Sequence, residues 1–334
     1  MVKPLHIAVI GVGRLGQAHA RVWSELPDAE LVGVYDTDPQ RAQEVADRHG
    51  VRAWSDLDDV LPEVEAVSIV VPTTAHATVA AKTLSVGLHT FVEKPITATL
   101  EEADNLIALA DARGLALQVG HIERFNGAVR ALQGFALTPG FIESHRLASF
   151  DPRGTDVSVV HDLMIHDIDL IRHLVQSDIT HVDATGVSVI SDQIDIANAR
   201  IQFASGCVAN LTASRISLKK MRKMRLFQRD AYISMDFVEG RSEVYRLLAE
   251  DETPDPAGLV IPVNTGNAAP RRILCASPSV PTREPLALEL EAFVRAARGL
   301  APPPVTGKDG REALRVSLEI IVRIEAAQAA LKPV

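Results

Sequence analysis

The sequence predicts an α/β protein in two parts: a doubly wound parallel sheet over the first 120 residues, then a second part built on a multi-stranded, antiparallel sheet. Three observations carry this. Short, almost wholly apolar runs alternate with helical-period segments from Leu5 to Val119, as in parallel strands buried on both faces and joined by helices. The stretch GVGRLG, Gly11 to Gly16, follows the first apolar run and opens a helix. From Phe141 onward the pattern changes to segments such as Val187 to Ile190, Ala197 to Phe203, Val208 to Leu211 and Ala231 to Phe237, separated by turn residues.

At 334 residues and 47% hydrophobic the chain is long enough for two domains, each with its own core. Its formal net charge of -9 argues against a nucleic-acid or anionic-membrane partner. Cys207 and Cys275 stand far apart with no CxxC or Cys/His cluster, so reduced thiols are expected rather than a zinc site or a disulfide. The apolar run near the N-terminus is too short for a membrane span and runs straight into glycines, which predicts a cytoplasmic protein.

The first strand is Leu5 to Ile10. Gly11, Gly13 and Gly16, with Arg14 and Leu15 between them, lead into a helix whose apolar positions Leu15, Ala18, Val22, Trp23 and Leu26 fall at helical spacing. One glycine permits a tight turn, the second lets backbone approach a pyrophosphate, and the third allows close packing of helix on strand. The next strand, Leu31 to Tyr35, ends in Asp36, twenty residues after Gly16, where a carboxylate can accept both ribose hydroxyls of an adenosine and would repel the 2′-phosphate of NADP. NAD is therefore the expected cofactor. The alternative is that Asp36 only starts the turn before DPQRAQEVADRHG, but there Asp38 already caps a helix that Pro39 opens and Gly50 ends.

Ala66 to Val71 is the third strand, closed by Pro72, and its helix ends at Gly87. His89 to Glu93 follows, closed by Pro95. Thr99 with Glu102 makes a capping box for a helix to Gly114, and Leu115 to Val119 returns to strand. Ligands of such sheets bind beyond the carboxyl ends of the strands, where Thr73, Thr74, His76, Glu93 and Lys94 lie; the first four join the candidate cofactor-binding set. The second part, residues 122–334 against 1–121 for the first, contains a basic run (Lys219, Lys220, Arg222, Lys223, Arg225) expected on a strand pair, Arg222 to Phe227 with Tyr232 to Phe237, at an edge or subunit interface, or else against phosphates. Asp251 to Arg283, rich in turn residues, reads as a long connection before helices Glu284 to Arg298 and Lys308 to Ala330.

One helix is unusual. In HDLMIHDIDL, Asp162, His166 and Asp169 share a face at i, i+4 and i+7, with His173 one turn further, while Val159, Val160, Leu163, Met164, Ile165, Ile168, Leu170, Ile171 and Leu174 make the remainder apolar. Solvent does not fully hydrate such a stripe.

Taken together, GVGRLG with His19, VPTTAH, the Glu93-Lys94-Pro95 triplet and this helix resemble the Gfo/Idh/MocA oxidoreductases over essentially the whole chain. The resemblance implies an N-terminal Rossmann domain and a C-terminal α+β domain whose large open, mostly antiparallel sheet commonly forms the interface of a homodimer or homotetramer. It implies catalytic roles for Lys94, Asp162 and His166. GHIERFN, FDPRGTDVSVVHDLMIHDIDL and ASRISLKKMRKMR look like the branch of UDP-N-acetylglucosamine 3-dehydrogenases, which in bacteria supply a 3-amino sugar for lipid A with a partner aminotransferase. Gly127 departs from that branch, where proline often stands.

Oxidising a secondary alcohol needs a base for the hydroxyl proton and a stabiliser of the developing alkoxide. Imidazole titrates near neutrality, so His166 suits the base; Asp162 can orient the ring and stabilise its cation, and Lys94 can hydrogen-bond the same oxygen. The rival readings are a solvated Lys94, a structural Asp162/His166 pair, and a metal site completed by Asp169 and His173; the expectation is no metal, with Asp169 and His173 in support. His161 and Asp167 point off the stripe and receive no role. A nucleotide sugar would need donors for its pyrophosphate and uridine, for which Arg124, Asn126 and Arg153 are candidates. The expected function is NAD-dependent oxidation of a sugar hydroxyl, with an inositol-type dehydrogenase or a non-catalytic NAD-binding regulator as alternatives.

Overall fold

The structure is a computed structural model that describes residues 3–151, 157–254, 258–264, 266 and 271–330. Strands β1 (Leu5–Ile10), β2 (Ala29–Tyr35), β3 (Arg52–Trp54), β4 (Ala66–Ile69), β5 (His89–Glu93) and β6 (Leu117–Gly120) form one parallel sheet in the order β3-β2-β1-β4-β5-β6. Helices α1 (Arg14–Glu25), α2 (Pro39–His49), α3 (Leu57–Val60), α4 (Thr73–Ser85) and α5 (Leu100–Arg113) connect them. The strand order reverses between β1 and β4, the switch point beside which ligands bind in open sheets. Local chemistry sets the boundaries as expected: Asp38 accepts from Gln40 N and Arg41 N at the start of α2, Thr99 and Glu102 form a capping box on α5, and Gly50 and Gly114 close their helices in the left-handed conformation. The three-residue strand β3 is too short to show a periodicity in the sequence.

The chain divides into two compact units, Met1–Ile122 with Arg283–Arg315, and Glu123–Thr282 with Val316–Val334. Beside the expected division at 1–121 and 122–334, the chain returns: α8 (Pro285–Ala297) and the start of α9 (Gly307–Ala330) group with the first unit. The cause is the apolar face of α8. Leu286, Leu290, Phe293 and Val294 join the core of Ile7, Val9, Trp23 and Phe91, where Phe293 packs edge-on against Trp23 (6.3 Å) and Phe91 (5.8 Å). Gln118 Nε2 also donates to Glu289 O.

Among the described residues the second unit carries α6 (Gly127–Arg130), α7 (Ile165–Val175) and nine strands: β7 (Phe141–Leu147), β8 (Ile179–Val187), β9 (Ile196–Phe203), β10 (Val208–Ser214), β11 (Met221–Phe227), β12 (Ala231–Asp236), β13 (Arg241–Leu247), β14 (Leu259–Val263) and β15 (Arg271–Ala276). Their order is β14-β15-β13-β12-β11-β7-β10-β9-β8, antiparallel except where β7 lies parallel to β10. The segment Val187 to Ile190 is not a strand. The chain leaves the sheet at Val187 because the backbone N–H groups of Val189, Ile190 and Ser191 all donate to Asp195 Oδ2, at 2.8, 2.7 and 2.9 Å. Strands β14 and β15 lie inside the expected connection 251–283, paired from Leu259↔Cys275 to Val263↔Arg271. Strand β11 is central, between β7 and β12, so the basic run is not at an edge. The side chains of Phe141, Phe227, Tyr232 and Tyr245 stack in a ladder across four strands, with ring centroids 5.0–5.7 Å apart.

Candidate active site

In the first unit the loop after β1 is shaped by close contacts. A Cβ on Gly11, whose φ is +88°, would stand 2.5 Å from Val70 O, and one on Gly16 would stand 1.9 Å from Gly11 O. The protein itself therefore demands these two glycines. Gly13 differs: a Cβ there would meet nothing within 4 Å. Helix α1 starts at this residue with no side-chain cap and no acidic residue in its first turn, so backbone donors and open space coincide. That is what a dinucleotide pyrophosphate requires. Arg14 and Leu15 beside it are exposed, Leu15 by 45%, unusual for a leucine on a helix that packs on a sheet.

Asp36 is buried and accepts from Val12 N (2.8 Å) and Asp38 N (2.9 Å), tying the glycine loop to the end of β2. It does not cap α2, which Asp38 does. Arg41 reaches both Asp36 oxygens, at 3.2 and 3.4 Å, and also Asp38. Thr73 and Thr74 begin α4 just past β4, at the switch point. His76, in contrast, is buried, with Nδ1 2.8 Å from Pro95 O and Nε2 2.9 Å from Val71 O. Burial pushes its pKa down against those two carbonyl contacts. His76, expected to meet the cofactor, thus fastens the loop after Lys94 to the end of β4 with both ring nitrogens on backbone carbonyls.

Glu93 is likewise turned inward. Its Oε1 lies 3.1 Å from His19 Nε2, its Oε2 accepts from Lys94 N at 3.2 Å, and His19 Nδ1 lies 2.8 Å from Ser68 Oγ. The carboxylate fills the space over Gly120, where a Cβ would come within 2.7 Å of it. Glu93, expected in the cofactor-binding set, therefore positions the backbone of Lys94. Lys94 itself is half-buried beyond the end of β5.

In the second unit the polar helix does not continue one stripe. Val160–Met164 is a π turn, in which Ile165 N donates to Val160 O, and α7 follows. The extra residue in this turn rotates Asp162 relative to everything after it. Asp162 and His166 are half-buried, Asp167 and Asp169 are buried, and His173 is exposed. Asp169 receives Arg124 through Nη2 (2.6 Å) and Nε (2.7 Å), and Arg124 Nη1 lies 3.2 Å from His173 Nδ1. The support role expected for Asp169 and His173 therefore has a partner, and it is Arg124. The guanidinium fork of Arg124, for which a phosphate role is expected, is held here by a carboxylate 1% exposed. Asn126 is also spent internally: Oδ1 accepts from Ala128 N, and Nδ2 donates to Glu123 Oε2 and Phe237 O, each at 3.0 Å. Arg153 lies outside the described residues. Gly127 has its own reason, since a Cβ would stand 2.4 Å from Gly240 O.

Sequence reasoning passed over the strongest polar cluster in this unit. Arg146, 2% exposed, gives Nε to both oxygens of Asp167 (3.1 Å each), Nη2 to Asp167 Oδ1 (2.7 Å) and Nη1 to Glu123 Oε1 (2.7 Å). Burial alone would lower the pKa of Arg146, but the charges of Asp167 and Glu123 outweigh it and hold it above the ordinary value. A signal existed. In FIESHRL, period-two alternation puts Arg146 in phase with buried Ile142 and Ser144, and an arginine in an apolar phase needs a carboxylate.

Comparison with known proteins agrees with this architecture. The family profile described as "Oxidoreductase family, NAD-binding Rossmann fold" matches residues 5–121, and the "GFO/IDH/MocA C-terminal domain" profile matches residues 125–233. The chain is 38% identical over 326 residues to the UDP-N-acetylglucosamine 3-dehydrogenase of Acidithiobacillus ferrooxidans, covering 96% of this chain and 98% of the relative. It is 32% identical over 238 residues to the scyllo-inositol 2-dehydrogenase (NAD(+)) of Bacillus subtilis, covering 65% and 69%. A solved structure of the Acidithiobacillus ferrooxidans enzyme superposes with a TM-score of 0.86 at 36% identity, covering 98% of this chain and 99% of that one. Apo scyllo-inositol dehydrogenase from Lactobacillus casei shares the fold, with a TM-score of 0.77 at 21% identity and 97% coverage of both chains. A glycine cradle at the switch point of one sheet, a polar helix on a second, and a near full-length match on both sides place the chain in the Gfo/Idh/MocA family of oxidoreductases.

Proposed function

We propose that the protein is an NAD-dependent dehydrogenase that oxidises the 3-hydroxyl of UDP-N-acetylglucosamine to the 3-keto sugar. The observation that carries the substrate is the 38% identity to a UDP-N-acetylglucosamine 3-dehydrogenase over 96% of the chain, against 32% over 65% for the scyllo-inositol enzyme. The dinucleotide would be held by Gly11, Gly13, Arg14, Leu15 and Gly16, with Asp36 on the adenosine ribose and Thr73 and Thr74 at the neighbouring strand end. Asp36 favours NAD over NADP because a carboxylate repels a 2′-phosphate. When bound, the nicotinamide supplies the hydride acceptor.

The chain's own residues handle the proton. His166 takes it from the hydroxyl oxygen, Asp162 keeps the ring oriented and stabilises its cation, and Lys94 donates a hydrogen bond to the same oxygen as charge develops there. Glu93, His19 and His76 act behind Lys94, fixing its backbone. The enzyme is proposed to work in the cytoplasm as a homodimer or homotetramer assembled through the open sheet, and a coupled aminotransferase would consume its 3-keto product.

The test is growth of NADH absorbance with UDP-N-acetylglucosamine. Turnover of a free polyol such as inositol, and none of the sugar nucleotide, would move the activity to the other branch. In Lys94→Ala, NAD binding should survive while kcat falls at least about 100-fold; an unchanged rate would sink the mechanism.

A further inference from the structure

Of the five basic residues between Lys219 and Arg225, one is unlike the rest. Lys223 pairs with Asp236 at 3.1 Å and Arg225 with Glu143, both with more than 40% of the side chain exposed, and Lys219 and Lys220 are exposed ahead of β11. Arg222 alternates onto the other face of β11, in phase with buried Met224 and Leu226, the face on which α7 lies through Asp167. There it is directly opposite Arg146 in the antiparallel register. Like charges directly opposite each other on a sheet are unfavourable, so such a pair needs compensation.

Compensation goes almost entirely to Arg146. Asp167 and Glu123 are both hydrogen-bonded to it, while Arg222 approaches Glu123 only to 3.8 Å and donates no hydrogen bond to any described residue. A guanidinium has five N–H donors, and this one is two-thirds withdrawn from solvent, with a side chain 35% exposed. Burial and the Arg146 charge pull its pKa below the ordinary value, while Glu123, Asp167 and Asp162 oppose them. Asp162 is thus near enough to act on Arg222 through its charge. Asp167 and Glu123 are already engaged by Arg146, so an incoming anion would meet a preformed donor fork on Arg222 that they leave without a hydrogen bond.

We infer that Arg222 is a substrate-binding residue that receives the diphosphate of the sugar nucleotide, and that it distinguishes nucleotide sugars from free sugars at this site. The inference rests on the proposed reading for its substrate, but its geometry does not: any substrate with a phosphate or diphosphate near the oxidised carbon would use the same fork.

The experiment compares the full-length wild type with Arg222→Ala and Arg222→Lys, by calorimetric titration with UDP and with inorganic pyrophosphate and by steady-state kinetics with UDP-N-acetylglucosamine and NAD. Loss of a charged hydrogen-bond pair predicts that Arg222→Ala weakens UDP binding and raises the KM for the sugar nucleotide by about 10- to 100-fold. The KM for NAD should stay unchanged and kcat should change less than KM. Arg222→Lys, which keeps charge without the fork, should fall between the two and guards against an alanine variant that fails to fold. A merely structural arginine would lower the thermal midpoint and leave UDP affinity intact in the folded variants, which overturns the inference. Wild type that binds UDP through Arg222 yet does not oxidise the sugar nucleotide would uphold the inference and overturn the proposed substrate. Wild type that oxidises it with Arg222→Ala equally effective would do the reverse, and wild type binding neither UDP nor pyrophosphate would end the inference.

Discussion

Replacing Asp167 by alanine should unfold the second unit far more readily. In the native state Asp167 and Arg146 are each 2% exposed and share three contacts of 3.1, 3.1 and 2.7 Å. Removing the carboxylate leaves Arg146 buried with Glu123 as its remaining described hydrogen-bond partner, and leaves Arg222 opposite it with less to offset the repulsion. Breaking a buried pair from one side costs about 3–5 kcal/mol, because the stranded charge keeps its desolvation penalty. With a urea dependence of about 3 kcal/mol per molar, that is a fall of about 1–1.7 M in the midpoint. Far-UV circular dichroism is the right probe, since Trp23 and Trp54 both lie in the first unit and their fluorescence reports only on it. Asp167→Asn, which retains an acceptor, should fall by less. A midpoint drop below about 0.3 M, together with a kcat fall of more than about 100-fold, would refute the reasoning and place Asp167 among the reacting groups.

The glycine cradle makes a paired prediction. Gly13→Ala should fold with wild-type stability, since its Cβ meets no protein atom and its φ of -63° is ordinary, yet raise the KM for NAD, whereas Gly16→Ala should destabilise the fold because its Cβ would lie 1.9 Å from Gly11 O; an unchanged KM in folded Gly13→Ala would remove the pyrophosphate from that spot. Asp36→Ala should weaken NAD by about 10- to 100-fold and shift preference toward NADP, because Arg41, released from the carboxylate, can meet a 2′-phosphate; kinetics with both dinucleotides decide it. Stability should also depend on pH through His89. Its Nδ1 accepts from Ala116 N at 3.0 Å, so the ring is neutral there, and burial lowers its pKa from the ordinary 6.5. The unfolded chain then binds the proton more readily, so this stability is complete above about pH 6.5 and is lost on acidification below it. His89→Asn, which keeps an acceptor but does not titrate, should flatten the fall in urea midpoint between about pH 7 and 5.

Much of the first unit was legible because its signals are local. A cap, a left-handed glycine and an apolar run are each written within a few residues, and β1, α2, β5 and α5 follow from them directly. What stayed hidden depends on partners distant in sequence. That α8 belongs with the first unit follows from Phe293 meeting Trp23 and Phe91, contacts no window of the sequence contains. Glu93 ends β5 and His76 lies in the first turns of α4, but burial and inward hydrogen bonds, which decide whether a side chain faces a ligand or the protein, depend on the surrounding fold. The internal partners of Arg124 and Asn126 are hidden for the same reason. A donor after a strand end suggests a ligand until the carboxylate or carbonyl that already holds it is known.

The polar helix separates two kinds of function that its sequence had merged. A uniform α-helical stripe makes Asp162, His166, Asp169 and His173 equivalent, and the π turn at Val160–Met164 ends that equivalence by rotating the segment before it. After the turn, Asp167 and Asp169 are gripped by two arginines from different elements, Arg146 on β7 and Arg124 in the turn before α6. Buried ion pairs of this kind add little net stability compared with well-packed apolar residues, but each fixes a direction, and two on neighbouring residues fix both the rotation and the axial position of a helix. Geometric tolerance at a reacting centre is small, with a displacement of 1 Å able to cost about 100-fold in rate. The two arginine anchors therefore fix α7, which carries the half-buried His166, behind the turn that carries the half-buried Asp162.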